Sequence, residues 1–386
     1  NGVSVVMGTA AGVYLDLNGN ANTIGSLSGG GASGGWVLLG GGGLTVGNAM
    51  DTTFAGNISG GGGLTKVGAG LLTLSGSNSF NGVTTLNMGT LELGSLDALA
   101  GGGSITFNGG TMKFGVSGAT YGNLVTGGGG NVMWVDGNGQ IATLSGVIDA
   151  SNTAGLTKIG AGTLVLSGAN SYGGPTVVEA GAIRLAGING LGSTATGTTV
   201  QSGGALELSG GLVYASEGLT IIGTGGSGGG ALRNVNGNNV WSGAITLGGA
   251  ASILSDSGTL TLDVASGDVV SGTSTLTLGG AGDVLVSDPL GLGTCGIIKS
   301  GIGTLRLAGS NVFTGGVVVN GGTVRLENVG ALNIGAPNAV TFGAGLACGT
   351  RLQLNGISLT LSGLDSNATV GSPVLENGSA ISAAVS

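Results

Sequence analysis

Three segments of this chain align with one another over 31 residues without a gap, and a chain that repeats itself so closely has few folds open to it. Gly63 to Leu93 reads GLTKVGAGLLTLSGSNSFNGVTTLNMGTLEL, Gly155 to Leu185 reads GLTKIGAGTLVLSGANSYGGPTVVEAGAIRL, and Gly296 to Leu326 reads GIIKSGIGTLRLAGSNVFTGGVVVNGGTVRL. In each copy a glycine-rich turn precedes an apolar-x-apolar triplet. A Ser/Ala-Gly step, a corner containing Asn, a second strand, a glycine and a second triplet follow. Self-similarity of this kind belongs to stacked arrays rather than to a globular enzyme fold.

The triplets say how such a unit packs. Leu72-Thr73-Leu74, Leu91-Glu92-Leu93, Ile183-Arg184-Leu185, Leu206-Glu207-Leu208 and Val324-Arg325-Leu326 place apolar residues on either side of a polar one. Neighbours in a strand point to opposite faces, so the outer pair faces a core and the centre faces water. Glycine supplies 92 residues of 386, yet only four prolines are present and 41% of residues are hydrophobic. Collagen needs a strict glycine period and much proline; disorder needs few apolar residues and many charges. An ordered, turn-dense all-β chain is what remains.

One strand per ~15–25 residues at fixed phase describes a parallel β-solenoid whose coils stack ~4.8 Å apart. The expectation is a single solenoid over residues 1–386, an elongated rod of about 16–20 coils on the order of 90 Å long. Full repeats occupy 63–93, 155–185 and 296–326. The stretch from Gly210 to Val286 keeps the triplets but loses the full unit, and reads as the same solenoid with shorter coils.

The repeats resemble the autotransporter-associated β-strand repeat, also called the passenger-associated transport repeat. The resemblance lies in the LTK-x-GAGTL-x-LSG-x-N-S-Y/F-x-G core at Leu64–Gly82 and Leu156–Gly174, with endings at Thr90–Leu93 and Ala182–Leu185. The third copy departs from it, with Ile297-Ile298-Lys299-Ser300 for the usual opening and Val312-Phe313 at the corner. The resemblance implies a right-handed parallel β-helix on a secreted or surface-displayed bacterial protein.

Chemistry is scarce. The chain has no histidine, which removes the Ser-His-Asp triad, His-based zinc sites and the usual general base. Asp256, Asp263, Asp268, Asp283 and Asp288 form the densest acidic group and read as solvated turn residues, an acid pair or calcium site being the alternative. Asp16-x-Asn18-x-Asn20-x-Asn22 and Asp136-x-Asn138-x-Gln140 resemble calcium loops but have Leu27 and Val147 where a bidentate glutamate belongs. Asn78, Asn170 and Asn311 are expected to cap turns and stack as ladders. Trp36, Trp134 and Trp241 are each expected to plug a coil. Cys295 and Cys348 read as small apolar fillers, with a disulfide as the alternative. No catalytic, metal or cofactor residues are assigned.

Net charge is −8, with no basic cluster, which argues against nucleic acid as partner. No apolar run is long enough to span a bilayer. The chain opens on Asn1, as a processed chain or an internal segment would. The functional expectation is a non-catalytic structural solenoid, extracellular or on a bacterial cell surface. It would serve as a stalk or as a fibre subunit that self-associates end to end through Val3–Val6 and Ile381–Val385. The alternative is an adhesin passenger binding a surface or host ligand, through loops such as Gly187–Thr199 and Gly223–Asn239.

Overall fold

A strand in which every second residue is apolar buries one face and needs a covering layer, and in this chain each coil supplies it for the next. The computed structural model describes residues 2–128, 130–214, 216–343, 349–367 and 372–386. All the strand ladders in it are parallel, and its helical content among the described residues is one 3-10 turn, Gly226–Gly228. The chain is a parallel β-solenoid of about 16 turns. It divides into two compact units, Asn1–Thr196 and Gly197–Ser386.

In the first unit each turn has three sides. One side carries Ser4–Met7, Ser26–Gly29, Thr52–Phe54, Leu71–Leu74, Thr90–Leu93, Thr111–Phe114, Met133–Asp136, Leu156–Ile159 and Thr176–Val178 in succession. A second side begins with Tyr14–Asp16, Trp36–Leu38 and Ile58–Ser59 and resumes as strand from Ala119–Tyr121 to Gly181–Leu185. The third is a six-stranded ladder from Asn22–Ile24 to Val125–Gly127. The first repeat opens on this third side with Leu64–Lys66 and closes on the first with Thr90–Leu93. The second repeat opens on the first side with Leu156–Ile159 and closes on the second with Gly181–Leu185. Equivalent positions of the second repeat therefore lie one side further round the coil.

The second unit repeats the plan. One side is the eight-stranded ladder from Val213–Tyr214 to Val374–Glu376. Ile245–Ser255 runs through a corner, pairing Thr246 with Thr220 on one side and Leu254 with Arg233 on the next. The coils from 210 to 286 are not shorter than the rest. Asn239 bonds Leu212 from 27 residues away and Asn234 bonds Ser255 across 21, whereas Thr73 and Glu92 in a full repeat stand 19 apart. The triplets at Ile245, Leu260 and Leu276 are closely spaced because they lie on three different sides.

The triplet rule holds inside the coils. Leu72, Leu91 and Met112 form one buried column in register, with Leu74, Leu93 and Phe114 beside it. Between them, Thr73, Glu92 and Lys113 form an outer column in which Lys113 Nζ stands 3.8 Å from Glu92. Arg306 and Arg325 are directly opposite one another, like charges that would repel. Glu327 relieves them, bonding Arg306 Nε at 2.7 Å and lying 3.4 Å from Arg325 Nε. Glu207 departs from the expectation of a solvated centre. It is buried because Arg233, its register partner one coil on, reaches over it with a 3.1 Å contact.

One further expectation is corrected, and the cysteine pairing is left untested. Of the tryptophans only Trp241 is buried; Trp36 is exposed and Trp134 half-covered, because both occupy outward positions of their strands. Cys295 is half-buried with a free thiol, while Cys348 lies outside the described residues, so the pair is not placed. No helix among the described residues is long and apolar enough to cross a membrane.

Candidate functional site

The same alternation that puts Leu64 inside also puts Lys66 inside, two residues on. Lys66, Lys158 and Lys299 are all buried, one per repeat. Each stem stands in an aliphatic column: Lys66 between Val46 and Leu86, Lys158 between Val135 and Val178, Lys299 between Leu278 and Val319. A lysine stem is apolar enough for such a column, but its ammonium needs acceptors.

Three backbone carbonyls meet that need in every copy. Lys158 Nζ donates to Ile159 O at 2.8 Å, Gly160 O at 2.7 Å and, from the next coil, Ala180 O at 3.2 Å. Lys66 does the same with Val67, Gly68 and Met88, and Lys299 with Ser300, Gly301 and Gly321. Three N–H donors meet three acceptors, so the ammonium is fully used. The glycine two residues after each lysine makes this geometry available. Gly68, Gly160 and Gly301 have φ of 69°, 66° and 67°, a left-handed conformation that side chains disfavour. A Cβ on Gly160 would also stand 2.0 Å from Asp136 Oδ1.

Burial lowers the pKa of all three lysines, to about 8 for Lys158 and Lys299, while Asp51, Asp136 and Asp283 oppose the shift. A pKa of about 8 still leaves the ammonium predominant at neutral pH.

Twelve residues after each lysine comes the corner asparagine, also buried. Asn170 Oδ1 accepts from Ile148 N at 2.9 Å on the preceding coil, and its Nδ2 donates to Gly190 O at 2.7 Å on the following one. Asn78 links Ile58 to Ala98 and Asn311 links Leu290 to Ala331 in the same way. These asparagines cap backbone as expected, but they do not stack on one another. The side chain stands in for a missing strand bond. An asparagine ladder does exist elsewhere, on the surface, where Asn131 bonds Asn108 and Asn108 bonds Asn87.

The remaining candidates serve the backbone. Asp256 pairs with Arg233 at 2.7 Å, Asp283 accepts from Thr304 N and Asp288 from Val264 N. Asp263 lies beside Asp288, and burial followed by the Asp288 hydrogen bond and charge raises its pKa. Asp268 packs against Gly291. Asp16 and Asp136 accept from Asn18 N and Asn138 N in turns where both asparagines have φ of 48°. Among the described residues no group of three or more Cys, Asp or Glu is placed to hold a metal ion. Neither loop candidate is a free projection. Gly190 is an acceptor of the Asn170 corner, and the segment from Gly223 to Asn239 contains the strand Leu232–Asn234 and a buried Asn234–Asn239 bond.

One buried acid has no cationic partner among the groups that shift it. Glu217, in the second unit, accepts a hydrogen bond from Thr198 Oγ1. Burial pushes its pKa up to about 7, against the opposing effect of that bond.

The model of the passenger-associated-transport-repeat family matches residues 64–93, 156–185 and 297–326. The fold and these matches define the class: a parallel β-solenoid carrying three passenger-associated transport repeats. Over 337 residues the chain is 31% identical to the Adhesin BmaC autotransporter of Brucella suis biovar 1 (strain 1330), covering 81% of this chain and 9% of that protein. The chain thus spans less than a tenth of that relative's length. No solved structure matches. The repeats and this likeness make the chain a cell-surface passenger domain of an extracellular or surface-exposed bacterial protein.

Two outcomes follow from the buried groups. Lys158→Met keeps the stem and strands the Gly160 and Ala180 carbonyls, each costing about 1–3 kcal/mol when unpaired, while Ile159 O still accepts from Gly137 N at 3.0 Å. Denaturant unfolding is expected to show a loss on the order of 3 kcal/mol, against less than about 1 kcal/mol for the outward Lys113→Met; equal losses would contradict the coil-joining role. Glu217 has a folded pKa of about 7 and a reference value of 4.5. It therefore contributes stability that is full below pH 4.5 and lost as pH rises through 7. Thermal unfolding of the wild type should fall across that window more steeply than that of Glu217→Gln, and parallel profiles would contradict the assignment.

Proposed function

We propose that this segment is a non-catalytic scaffold within an adhesive passenger, holding outward-facing side chains at regular intervals from the bacterial surface. The observation that carries this reading is where the polar chemistry goes. Lys66, Lys158 and Lys299, through Met88, Ala180 and Gly321, and Asn78, Asn170 and Asn311 are consumed in joining one coil to the next. The cavity of about 280 Å³ in the second unit is lined by groups such as Leu326, Val329, Leu359 and Thr360. That lining offers no acid–base pair of the kind hydrolysis needs. The likeness to an adhesin supports the adhesive part of the proposal.

A stalk is the same scaffold with its binding region elsewhere, and head-to-tail assembly into a fibre is the competing reading. Displaying residues 1–386 on a non-adherent bacterium and counting cells retained on host-cell monolayers separates them. Adhesion several-fold above the empty display strain, with purified segment monomeric by light scattering, is expected. Retention equal to the empty strain would reject the adhesive reading, and filaments of the purified segment would favour the fibre.

A further inference from the structure

A chain this poor in aromatic residues hides nearly all of them. All six phenylalanines, Tyr121, Tyr172, Tyr214 and Trp241 are buried. Two rings stand well out of the surface, Tyr14 at 60% and Trp36 at 40% exposure, and they are register partners on adjacent coils. Both occupy outward positions of the second side of the first unit, one coil step apart at ~4.8 Å. Large exposed rings on a water-facing strand are the informative exception to burial.

Apart from half-exposed Leu38, the outward residues around them are polar or acidic. Asp16 follows Tyr14 two residues on and faces outward with it; Leu38 and Ser59 continue that file. On the Trp36 file the next coil carries Asn57, whose Oδ1 accepts from Ser77 N at 3.2 Å. Ser77 Oγ in turn donates to Asp97 Oδ2 at 3.1 Å. Two rings therefore head a strip of amide, hydroxyl and carboxylate groups stepping along the coils. Rings of this kind offer an apolar face together with a polar tip, and the groups below them accept and donate hydrogen bonds to hydroxyls. Nothing on the strip is cationic, so a carboxylated or sulfated polymer meets Asp16 and Asp97 as like charges.

From this arrangement we propose that the Tyr14–Trp36 strip is a binding site for a pyranose chain free of anionic groups. The sugar rings stack their C–H faces on Tyr14 and Trp36, and their hydroxyls and amides bond Asp16, Asn57, Ser59 and Ser77. A protein partner would need an apolar centre ringed by polar groups, whereas here the rings lie at one end of a polar file. The inference deepens the adhesive reading and rests on it for its biological use, but its binding chemistry is testable in isolation.

The experiment titrates the full chain with chitotetraose, cellotetraose and polygalacturonate, reading tryptophan fluorescence and calorimetric heat. Saturable binding of at least one neutral tetrasaccharide is expected, with none for polygalacturonate. Trp36→Ala should weaken it at least tenfold while leaving the circular dichroism and melting profile unchanged, and Trp36→Phe should retain most of it. Tyr14→Ala serves as a second probe if Trp36→Ala folds poorly. Failure of the wild type to bind either tetrasaccharide, or equal binding by the alanine variants, would overturn the site. Adhesion that survives Trp36→Ala although sugar binding is lost would overturn the strip's part in adhesion and leave the adhesive reading intact, whereas no adhesion by the whole segment with sugar binding preserved would overturn the adhesive reading and leave the sugar site intact.

Discussion

A coil of a parallel solenoid must give its backbone hydrogen bonds to the coils on either side, including at the corners where no strand exists to receive them. This requirement decides most of what is unusual here. Along the sides, the ladders meet it with ordinary parallel pairing. At the corners, buried side chains do. An asparagine carboxamide carries one acceptor and two donors on a short stem, so it can accept from the coil before and donate to the coil after. A lysine ammonium with three donors gathers three carbonyls left pointing inward by left-handed glycines. Orphaned backbone groups at such corners would each cost about 1–3 kcal/mol, enough over several coils to cancel the gain from burying the leucine columns.

Much of this was legible from residue order. Leu91-Glu92-Leu93 and Ile183-Arg184-Leu185 revealed the inward and outward phases, and the 31-residue repeat revealed stacking. Strand alternation alone would also have placed Lys66 inside, since Leu64 is inside and the period is two. The general preference of lysine for water obscured it, although a lysine followed two residues later by glycine in all three copies was the available signal. Glu207 was misjudged for the opposite reason: its phase was right, but the arginine that covers it lies 26 residues away, beyond any local pattern. Spacing between triplets misled as well, because Ile245, Leu260 and Leu276 sit on different sides of the coil.

The rotation of the second repeat by one side relative to the first has a consequence for display. Equivalent outward positions, such as Glu92 and Arg184, do not form one stripe but occupy different sides. A surface built this way presents varied groups on each side while the inner joints stay the same, which suits a passenger whose core is fixed and whose exterior is free to differ. The exposed aromatic pair near the start of the first unit is one such local variation on an otherwise small-residue surface.

The account stands on the corners being joined as firmly as the strands, and amide hydrogen exchange measures that directly. The amides of Ile58, Ile148 and Leu290, which donate to Asn78, Asn170 and Asn311, should exchange as slowly as the ladder amide of Leu164. Exchange of those three at the rate of exposed turn amides would contradict it.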